Sequence, residues 1–442
     1  MRRQTAPIKP DPRSASAALL SFLFPGLGQA YNRQWTLAIL LAVPIGLLVV
    51  LGVLVLARTE GSLLGRLLDP RVLIALIVLD LALLGWRVVA IVQAYVVRDQ
   101  LTLRSWAAWL TAVLLVITLG MHALPAYYAA KAIDTLGSVS LEGGGSLFDE
   151  REGRDVEISE PSAQPELGER VTVLLVGVDF APGRSHHLTD TLLVATFDPQ
   201  TDDVAMISIP RDLYGTPLGD GRLYNAKLNS LMSAASADPL TYPLGGPATL
   251  KAAIGDVLGT RIHYFAAIDI EGMRQLIDAL GGVDVVVERT INDPQCHDAL
   301  TGQRGFFIEA GPHHLDGPTA MAYIRTRMAA GENDFTRAER QQQVLAAIAE
   351  QLTAGNLLLT LPSLLDTVRD NVSTDIPSRR IPEIAAAAQD ADLRDIERVV
   401  LTPDEGYVTV DPNSAAGYVL YPNLDAIRLL GERIFGIATP DR

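Results

Sequence analysis

The sequence predicts an N-terminal α-helical membrane anchor of three transmembrane helices, followed by an α/β domain whose mixed central sheet is flanked by helices. Three observations lead there: three long apolar runs all fall before Ala130, short β-branched runs alternate with helical periodicity from Val171 onward, and an acidic stretch poor in core-forming residues separates the two. The chain of 442 residues is long enough for two or three domains. Its formal net charge of -15 argues against a general affinity for nucleic acid, which is bound through clustered Lys and Arg. Any anion must therefore meet a local basic site. The single cysteine, Cys296, permits no intramolecular disulfide and no Cys cluster for zinc or iron–sulfur chemistry. Its neighbours Asn292, Asp293, Pro294 and Asp298 read as an exposed loop rather than a nucleophile site.

In the first part, residues 36–57, 72–97 and 105–125 each approach the roughly 20 apolar residues needed to cross a bilayer. Arg2, Arg3, Lys9 and Arg13 precede the first span and Arg98 and Arg104 separate the second from the third, and positive residues favour the cytoplasmic side. An odd number of spans then places residue 130 onward outside, although Arg58, Arg66 and Arg71 lie in the loop assigned to the outer face. The expected protein is thus multi-pass in the cytoplasmic membrane with its large domain extracytoplasmic. Residues 17–24 are apolar but short, and Pro25, Gly26 and Gly28 break them, so they read as interfacial or re-entrant. Asp80 and Arg87 stand two helical turns apart within the second span, where charge marks either helix pairing or function. Residues 1–132 form the membrane domain, 133–170 an acidic tether with Gly143, Gly144, Gly145, Pro161 and Pro165, and 171–436 the large domain.

Within the large domain, residues 171–178 are continuously apolar and β-branched, as a strand buried on both faces requires. Residues 191–197 and 204–209 are strand candidates joined by the turn-rich Asp198-Pro199-Gln200-Thr201-Asp202. Residues 262–268 and 283–287 add two more, with a helix over 271–280 ending at Gly281-Gly282. Further helices are expected over 247–258, 318–326, 336–352 and 424–434. Strands alternating with helices give the α/β class.

The candidate site residues gather on these elements. In the helix over 336–352, Val344, Leu345, Ile348 and Leu352 form an apolar stripe; extended backward it meets Arg337 and Gln341, with Arg340 beside them. Arg near a helix N-terminus is disfavoured by the macrodipole unless an anion is present, so the stripe marks either an anion site or a solvated helix end. Arg325 and Arg327 lie just upstream. Planar guanidinium groups bind phosphate oxygens bidentately, so these residues and Lys227 suit a pyrophosphate; a surface salt-bridge network is the other reading. Carboxylates collect at predicted strand ends, Asp179 after the first, Asp190 before the second and Asp212 beyond the third, which is where α/β sheets place ligand sites. Oxygen ligands sharing an ion with phosphate suit magnesium, whereas zinc requires grouped His or Cys. His186-His187 and His313-His314 are adjacent pairs whose side chains diverge.

Val176-Gly177-Val178-Asp179, Thr189-Asp190-Thr191, Ser208-Ile209-Pro210-Arg211-Asp212, Lys227-Leu228-Asn229, residues 279–285, Ala322-Tyr323-Ile324-Arg325-Thr326-Arg327 and residues 334–342 occur in the order seen in the LytR-CpsA-Psr family. The chain resembles that family from about Val171 to Gly436. The resemblance implies a magnesium-dependent extracytoplasmic phosphotransferase that moves a glycopolymer from a polyprenyl-pyrophosphate carrier to peptidoglycan. A pyrophosphate hydrolase acting on the same lipid, or a non-catalytic polyprenyl-phosphate-binding regulator, are the rival classes. By the same resemblance Asp179 and Asp190 hold the metal and are catalytic together with Arg325 and Arg327. The pyrophosphate falls to Arg211, Lys227, Arg325, Arg327, Arg337, Arg340 and Gln341. The family usually has an arginine after the first strand's Gly-x-Asp and another before Ser-Asp-Thr; here Phe180 and His187-Leu188 stand there. The usual anchor is a single span, so three are also a departure.

Overall fold

The computed structural model describes residues 12–58, 69–97, 105–139, 169–179, 188–297, 304–353, 364, 366–377, 380, 381, 384, 396–411 and 413–436. The chain forms two compact units, Met1–Ile133 and Asp134–Arg442.

In the first unit the helices are α1 (Pro12–Leu23), α2 (Leu27–Tyr31), α3 (Trp35–Arg58), α4 (Pro70–Val96) and α5 (Trp106–Val139). Helices α3, α4 and α5 each hold a segment long and apolar enough to cross a membrane, Trp35–Leu54, Pro70–Val96 and Trp106–Ser138. The third expected span ended at Pro125, but α5 continues through that proline to Val139, so the first residues assigned to the tether are helical. A proline inside a membrane helix is tolerated where neighbouring groups or local adjustments satisfy the freed carbonyl, and Ala129, Ala130 and Ala132 favour continuation. Helix α1, at 12 residues, falls short of a span. Its small side chains Ala15, Ala17 and Ala18 are buried, and α1 packs on α2 and α4. A Cβ on Gly28 would meet the Ala17 carbonyl oxygen at 2.1 Å, which is why the α1–α2 turn needs glycine there. Asp80 pairs with His122 of α5 across 2.7 Å, and Arg87 donates to the Phe22 carbonyl at 2.6 Å.

In the second unit the strands are β1 (Val171–Asp179), β2 (Leu188–Phe197), β3 (Val204–Ser208), β4 (Thr216–Pro217), β5 (Leu223–Tyr224), β6 (Tyr264–Asp269), β7 (Val283–Val287), β8 (Ile291–His297), β9 (Arg304–Ile308), β10 (Gly311–Leu315), β11 (Val372–Thr374), β12 (Glu397–Val400), β13 (Val408–Val410) and β14 (Leu420–Pro422). The helices are α6 (Leu231–Ala237), α7 (Gly246–Leu258), α8 (Ile270–Ala279), α9 (Gly317–Arg325), α10 (Asp334–Thr353) and α11 (Leu424–Phe435). Six strands form one mixed sheet in the order β11-β6-β1-β2-β3-β12. Strand β1 is parallel to β6 and antiparallel to β2, β2 is antiparallel to β3, and β3 is parallel to β12. Four strands, β1, β3, β6 and β12, therefore point the same way, and their C-terminal ends line one edge together with the start of β2.

One sheet face is covered by a core of Leu174, Val176, Leu192, Val194, Ile207 and Phe265 against α7 and α11. The opposite face meets α8 and α10, with a second core of Ile277, Val285, Ile324, Val344 and Ile348 beneath the β7–β10 and β8–β9 ribbons. Strand β1 buries one face fully and the other only partly, less than its unbroken apolar run suggested. On α10 the inward face is Val344, Ala347 and Ile348, while Leu352 from the expected stripe stands 37% exposed at the helix end.

A β-bulge lies at this edge. Gly177 faces Thr191 and Val178 faces Thr189, so Asp190 is the extra residue between them. Bulges re-aim side chains. The close approach needs glycine: a Cβ on Gly177 would stand 2.9 Å from the Thr191 Cβ and 3.0 Å from its hydroxyl. Replacing Gly177 with Ala is expected to destabilise the domain by about 1–3 kcal/mol through overpacking at the bulge. Urea denaturation of the variant beside the parent measures this, and an unchanged midpoint would show that the bulge relaxes without cost.

Candidate functional site

Strand β3 stops at Pro210, which has no N–H to extend the ladder, and the turn after it presents Arg211. The Leu213 N–H closes that turn on the Pro210 carbonyl, and the Asn229 N–H donates to the Arg211 carbonyl at 3.0 Å. The Arg211 guanidinium then lies among three carboxylates: its Nη1 donates to Asp190 at 2.5 Å, Nη2 is 3.6 Å from Asp334, and Nε is 3.8 Å from Asp212. Burial lowers the Arg211 pKa, but Asp190, Asp334 and Asp212 outweigh it and the net shift is upward. Lys227 is turned to Asp212, which it meets at 2.7 Å.

Helix α10 begins beside this turn. Asn333 caps it, its side chain accepting from the N–H groups of Phe335 at 2.8 Å and Thr336 at 2.9 Å. Asp334 occupies the first turn, where the helix dipole favours an anion. Its carboxylate lies 2.9 Å from Arg337, 3.6 Å from Arg211 and 3.6 Å from Arg327. Arg337 is buried, and burial together with the charges of Arg211 and Arg327 lowers its pKa despite Asp334 and Asp190. The Nε atoms of Arg211 and Arg337 are buried with no hydrogen-bond acceptor among the described residues. Buried polar groups are normally satisfied, so these two donors leave capacity for a further acceptor beside Asp334, whose Oδ1 is itself buried without a hydrogen-bond partner among the described residues.

Arg325 and Arg327 leave the end of α9 on a turn that Asp293 organises. The Asp293 carboxylate accepts the Thr326 hydroxyl and the N–H groups of Arg327 at 3.3 Å, Met328 at 3.1 Å, Gln295 at 3.0 Å and Cys296 at 3.0 Å. The sequence suggested an exposed loop here. Instead Asp293 is 1% exposed within β8, because its side chain replaces backbone partners for the arginine-bearing turn.

Asp190, Arg211, Arg325, Arg327, Arg337 and Gln341 all line one cleft at the sheet edge. It encloses about 1070 Å³, solvent at its mouth included. Its far wall is apolar, with Val178, Ile268, Met273, Met321 and Ile324. An adjoining compartment shares Asp190, Arg211, Arg337 and Gln341 and adds Asp334, Tyr418 and Val400. A row of guanidinium groups at the mouth of an apolar recess suits an anionic head attached to a hydrocarbon tail.

Residues 145–422 match the model of the LytR_cpsA_psr family. The chain belongs to the LytR-CpsA-Psr family. It is 30% identical over 282 residues to a polyisoprenyl-teichoic acid–peptidoglycan teichoic acid transferase, TagU, of Oceanobacillus iheyensis, covering 62% of this chain and 78% of that protein. It is 26% identical to the regulatory protein MsrR of Staphylococcus aureus, over 61% of this chain and 76% of that one. Among solved structures, B. subtilis TagV aligns with a TM-score of 0.48 at 23% identity, over 62% of this chain and 99% of TagV.

Two of the residues expected at the phosphates from the LytR-CpsA-Psr resemblance do not line this cleft. Lys227 reaches its edge only through Asp212. Arg340 leaves the other flank of α10, since counted from Arg337 it lies about 60° to one side and Gln341 about 40° to the other, roughly 100° apart. It donates to the carbonyls of Tyr323, at 2.8 Å, and Thr326 and pairs with buried Glu332, so it clamps the α9–α10 connection. Asp179 ends β1 opposite Leu188, while its side chain, Phe180, Arg184, His186 and His187 lie outside the described residues. Asp334 and Asp293 were not singled out in the sequence; Asp334 carried the available signal, an acid in the first turn of an arginine-rich helix.

Although burial raises the Asp293 pKa, its hydrogen bonds hold the carboxyl below the ordinary carboxylate range. Its contribution to stability is therefore present above the unfolded value of about 3.9 and is lost as pH falls through the lower folded value. Asp293→Asn should cost about 1–3 kcal/mol at pH 7 and flatten the loss of stability below about pH 4. Urea unfolding of parent and variant from pH 3 to pH 7 tests both, and parallel curves would remove Asp293 from this role.

Proposed function

We propose that this membrane-anchored member of the LytR-CpsA-Psr family is a phosphotransferase that ligates a glycopolymer from a polyprenyl-pyrophosphate carrier to peptidoglycan, outside the cytoplasm. The observation that carries the site assignment is the pair of guanidinium groups, half-buried Arg211 and buried Arg337, whose Nε donors have no acceptor among the described residues, beside an apolar recess. The pyrophosphate lies against Arg211, Arg325, Arg327 and Arg337, with Gln341 donating beside them, and the first prenyl units enter the recess of Met273, Met321 and Ile324. An acceptor hydroxyl attacks the sugar-side phosphorus, and its proton passes to the departing polyprenyl phosphate. The bond to the bridging oxygen breaks, and polyprenyl phosphate leaves. Fixed positive groups oppose the charge that develops on the phosphoryl oxygens, in a site organised before the substrate binds.

Magnesium fits the donor set as a shared rather than an enclosed ion. Among the described residues no three His, Cys, Asp or Glu side chains gather into a metal cluster. Magnesium is commonly held by one or two carboxylates plus substrate phosphates. Asp190 gives one oxygen to Arg211, which leaves its other oxygen for the ion, and Asp179 at the end of β1 is the second proposed ligand. When bound, the ion would neutralise charge on the pyrophosphate. Asp190 also orients Arg211, so both roles converge on one carboxylate.

Asp190→Ala is expected to lower turnover by roughly a hundredfold or more. The assay supplies the full-length protein in detergent with polyprenyl-pyrophosphate glycan, magnesium and peptidoglycan fragments, and reads products by mass spectrometry. A phosphodiester-linked glycan and free polyprenyl phosphate are expected, both stopped by chelator. Free phosphorylated glycan as the only product, with saturating acceptor, would make the enzyme a hydrolase. The orientation has its own test: a reporter fused after Arg170 should be active only outside the cytoplasm, and cytoplasmic activity would overturn the assignment to the outer face.

A further inference from the structure

Helix α10 separates two clefts. Arg337 and Gln341 face the arginine-lined cleft, whereas Thr336, Glu339, Arg340 and Gln343 line a second cleft on the other flank. This second cleft is the larger, about 1290 Å³ with solvent at its mouth, and is walled by β12, α11 and the end of β7. The two meet at Val400, the last residue of β12, which lines both the second cleft and the compartment holding Arg211, Arg337 and Asp334. A helix with its side chains is roughly 10–12 Å across, so a chain lying in the second cleft is on the order of 10 Å from the phosphates, with Val400 on the way between them.

We propose that the second cleft binds the acceptor strand, a glycopeptide carrying both carboxylates and a free amine; this rests on the transferase reading above. Charge of both signs is available there. Arg398 on β12, Glu288 and Glu339 line it as solvent-exposed charges. The guanidinium groups of Arg289 and Arg433 are 52% and 58% exposed at the rim, each with one acidic neighbour. Partial burial and the charge of Glu288 raise the Glu339 pKa, against Arg289 and Arg340, which lower it. The cleft carries more polar lining than the first, with Glu288, Arg289, Glu339 and Arg398 set around Val287, Ile291 and Val399. Its floor is fixed: Gln342 donates to the Ser208 hydroxyl at 2.9 Å and the Val399 carbonyl at 2.8 Å, and the Tyr323 hydroxyl donates to Gln343 at 2.7 Å. Arg340, which sequence spacing grouped with the phosphate ligands, thereby acquires a place between the clefts, bracing the helix that divides them.

The test uses the full-length protein in detergent with a soluble disaccharide–pentapeptide fragment of peptidoglycan as the probe. Its dissociation constant should rise by about tenfold or more in the double variant Arg398→Ala/Glu339→Gln, the loss expected when charged partners are removed. In transfer assays the acceptor KM should rise while the donor KM stays unchanged. Arg337→Ala should do the reverse, weakening the donor and leaving fragment binding intact. Unchanged fragment affinity in the double variant, a wild-type protein that does not bind the fragment, or a rise in donor KM instead of acceptor KM would each overturn the proposal, the last by assigning the cleft to the donor's glycan. If the wild type binds the fragment but not the lipid-linked donor, the acceptor cleft stands and the transferase reading fails.

Discussion

The functional edge depends on holding two like charges, the guanidinium groups of Arg211 and Arg337, beside one another in a partly buried place. Alone they would repel and carry a desolvation cost. Asp334 lies between them, 2.9 Å from Arg337 and 3.6 Å from Arg211, and Asp190 anchors Arg211 from the other side. The carboxylates neutralise the pair without saturating it, since both Nε donors remain without acceptors among the described residues. Breaking a buried pair by removing one partner is far costlier than its net contribution when intact. That asymmetry accounts for the way four elements, the start of β2, the end of β3, the start of α10 and the turn after α9, are fixed relative to one another at this edge.

A second layer of carboxylates positions the first. Asp293 collects the N–H groups of the turn that carries Arg327, and Glu332, whose side chain is 2% exposed, is gripped by Arg340 and Arg289 beneath the loop leading to Asp334. Neither belongs to the arginine cleft. Each converts an irregular connection, which would otherwise leave buried backbone groups unpaired, into a rigid platform. The acidity of the chain and the proposed anion site are therefore compatible: acids orient the arginines, and the arginines keep donor capacity for a phosphate.

Much of this was legible in the sequence where a period or a punctuation residue carried it. The strand over 283–287 matches β7, and the strands and helices expected around Val171, Val204, Pro247, Glu271 and Leu424 lie within a few residues of those observed. Arg337 and Gln341, four apart on one helix, face the same cleft as expected. Arg340 does not, because adjacency in sequence was read as adjacency on the helix face. The bulge at Asp190 was illegible for a different reason: a one-residue register shift depends on Gly177 in the neighbouring strand, and no local pattern in β2 records it. Asp293 was misread because Pro294 and its polar neighbours resemble a loop until the Thr326 turn is folded against them.

The same rule, that polar groups removed from water must satisfy one another, orders the membrane unit. Gln29 is fully buried, donating to the Ala90 carbonyl at 2.8 Å and to Gln93 at 2.9 Å while accepting from Ser21 at 3.0 Å. Asn32 donates to the Ala94 carbonyl at 2.8 Å, so the α2 turn is fastened to α4 through side-chain amides. Between helices in lipid there is little hydrophobic drive, and association relies on close packing and such bonds. The glycines of the Pro25-Gly26-Leu27-Gly28 turn supply the first and Gln29 the second, since no larger side chain fits against the Ala17 and Ala38 carbonyls that Gly28 and Gly26 approach. Asp80 and His122 extend the principle to α5, joining it to α4 through a carboxylate–imidazole contact. A single anchoring helix would need none of these contacts. Their presence means that the helices of this unit pack into a folded body rather than serving as separate tethers.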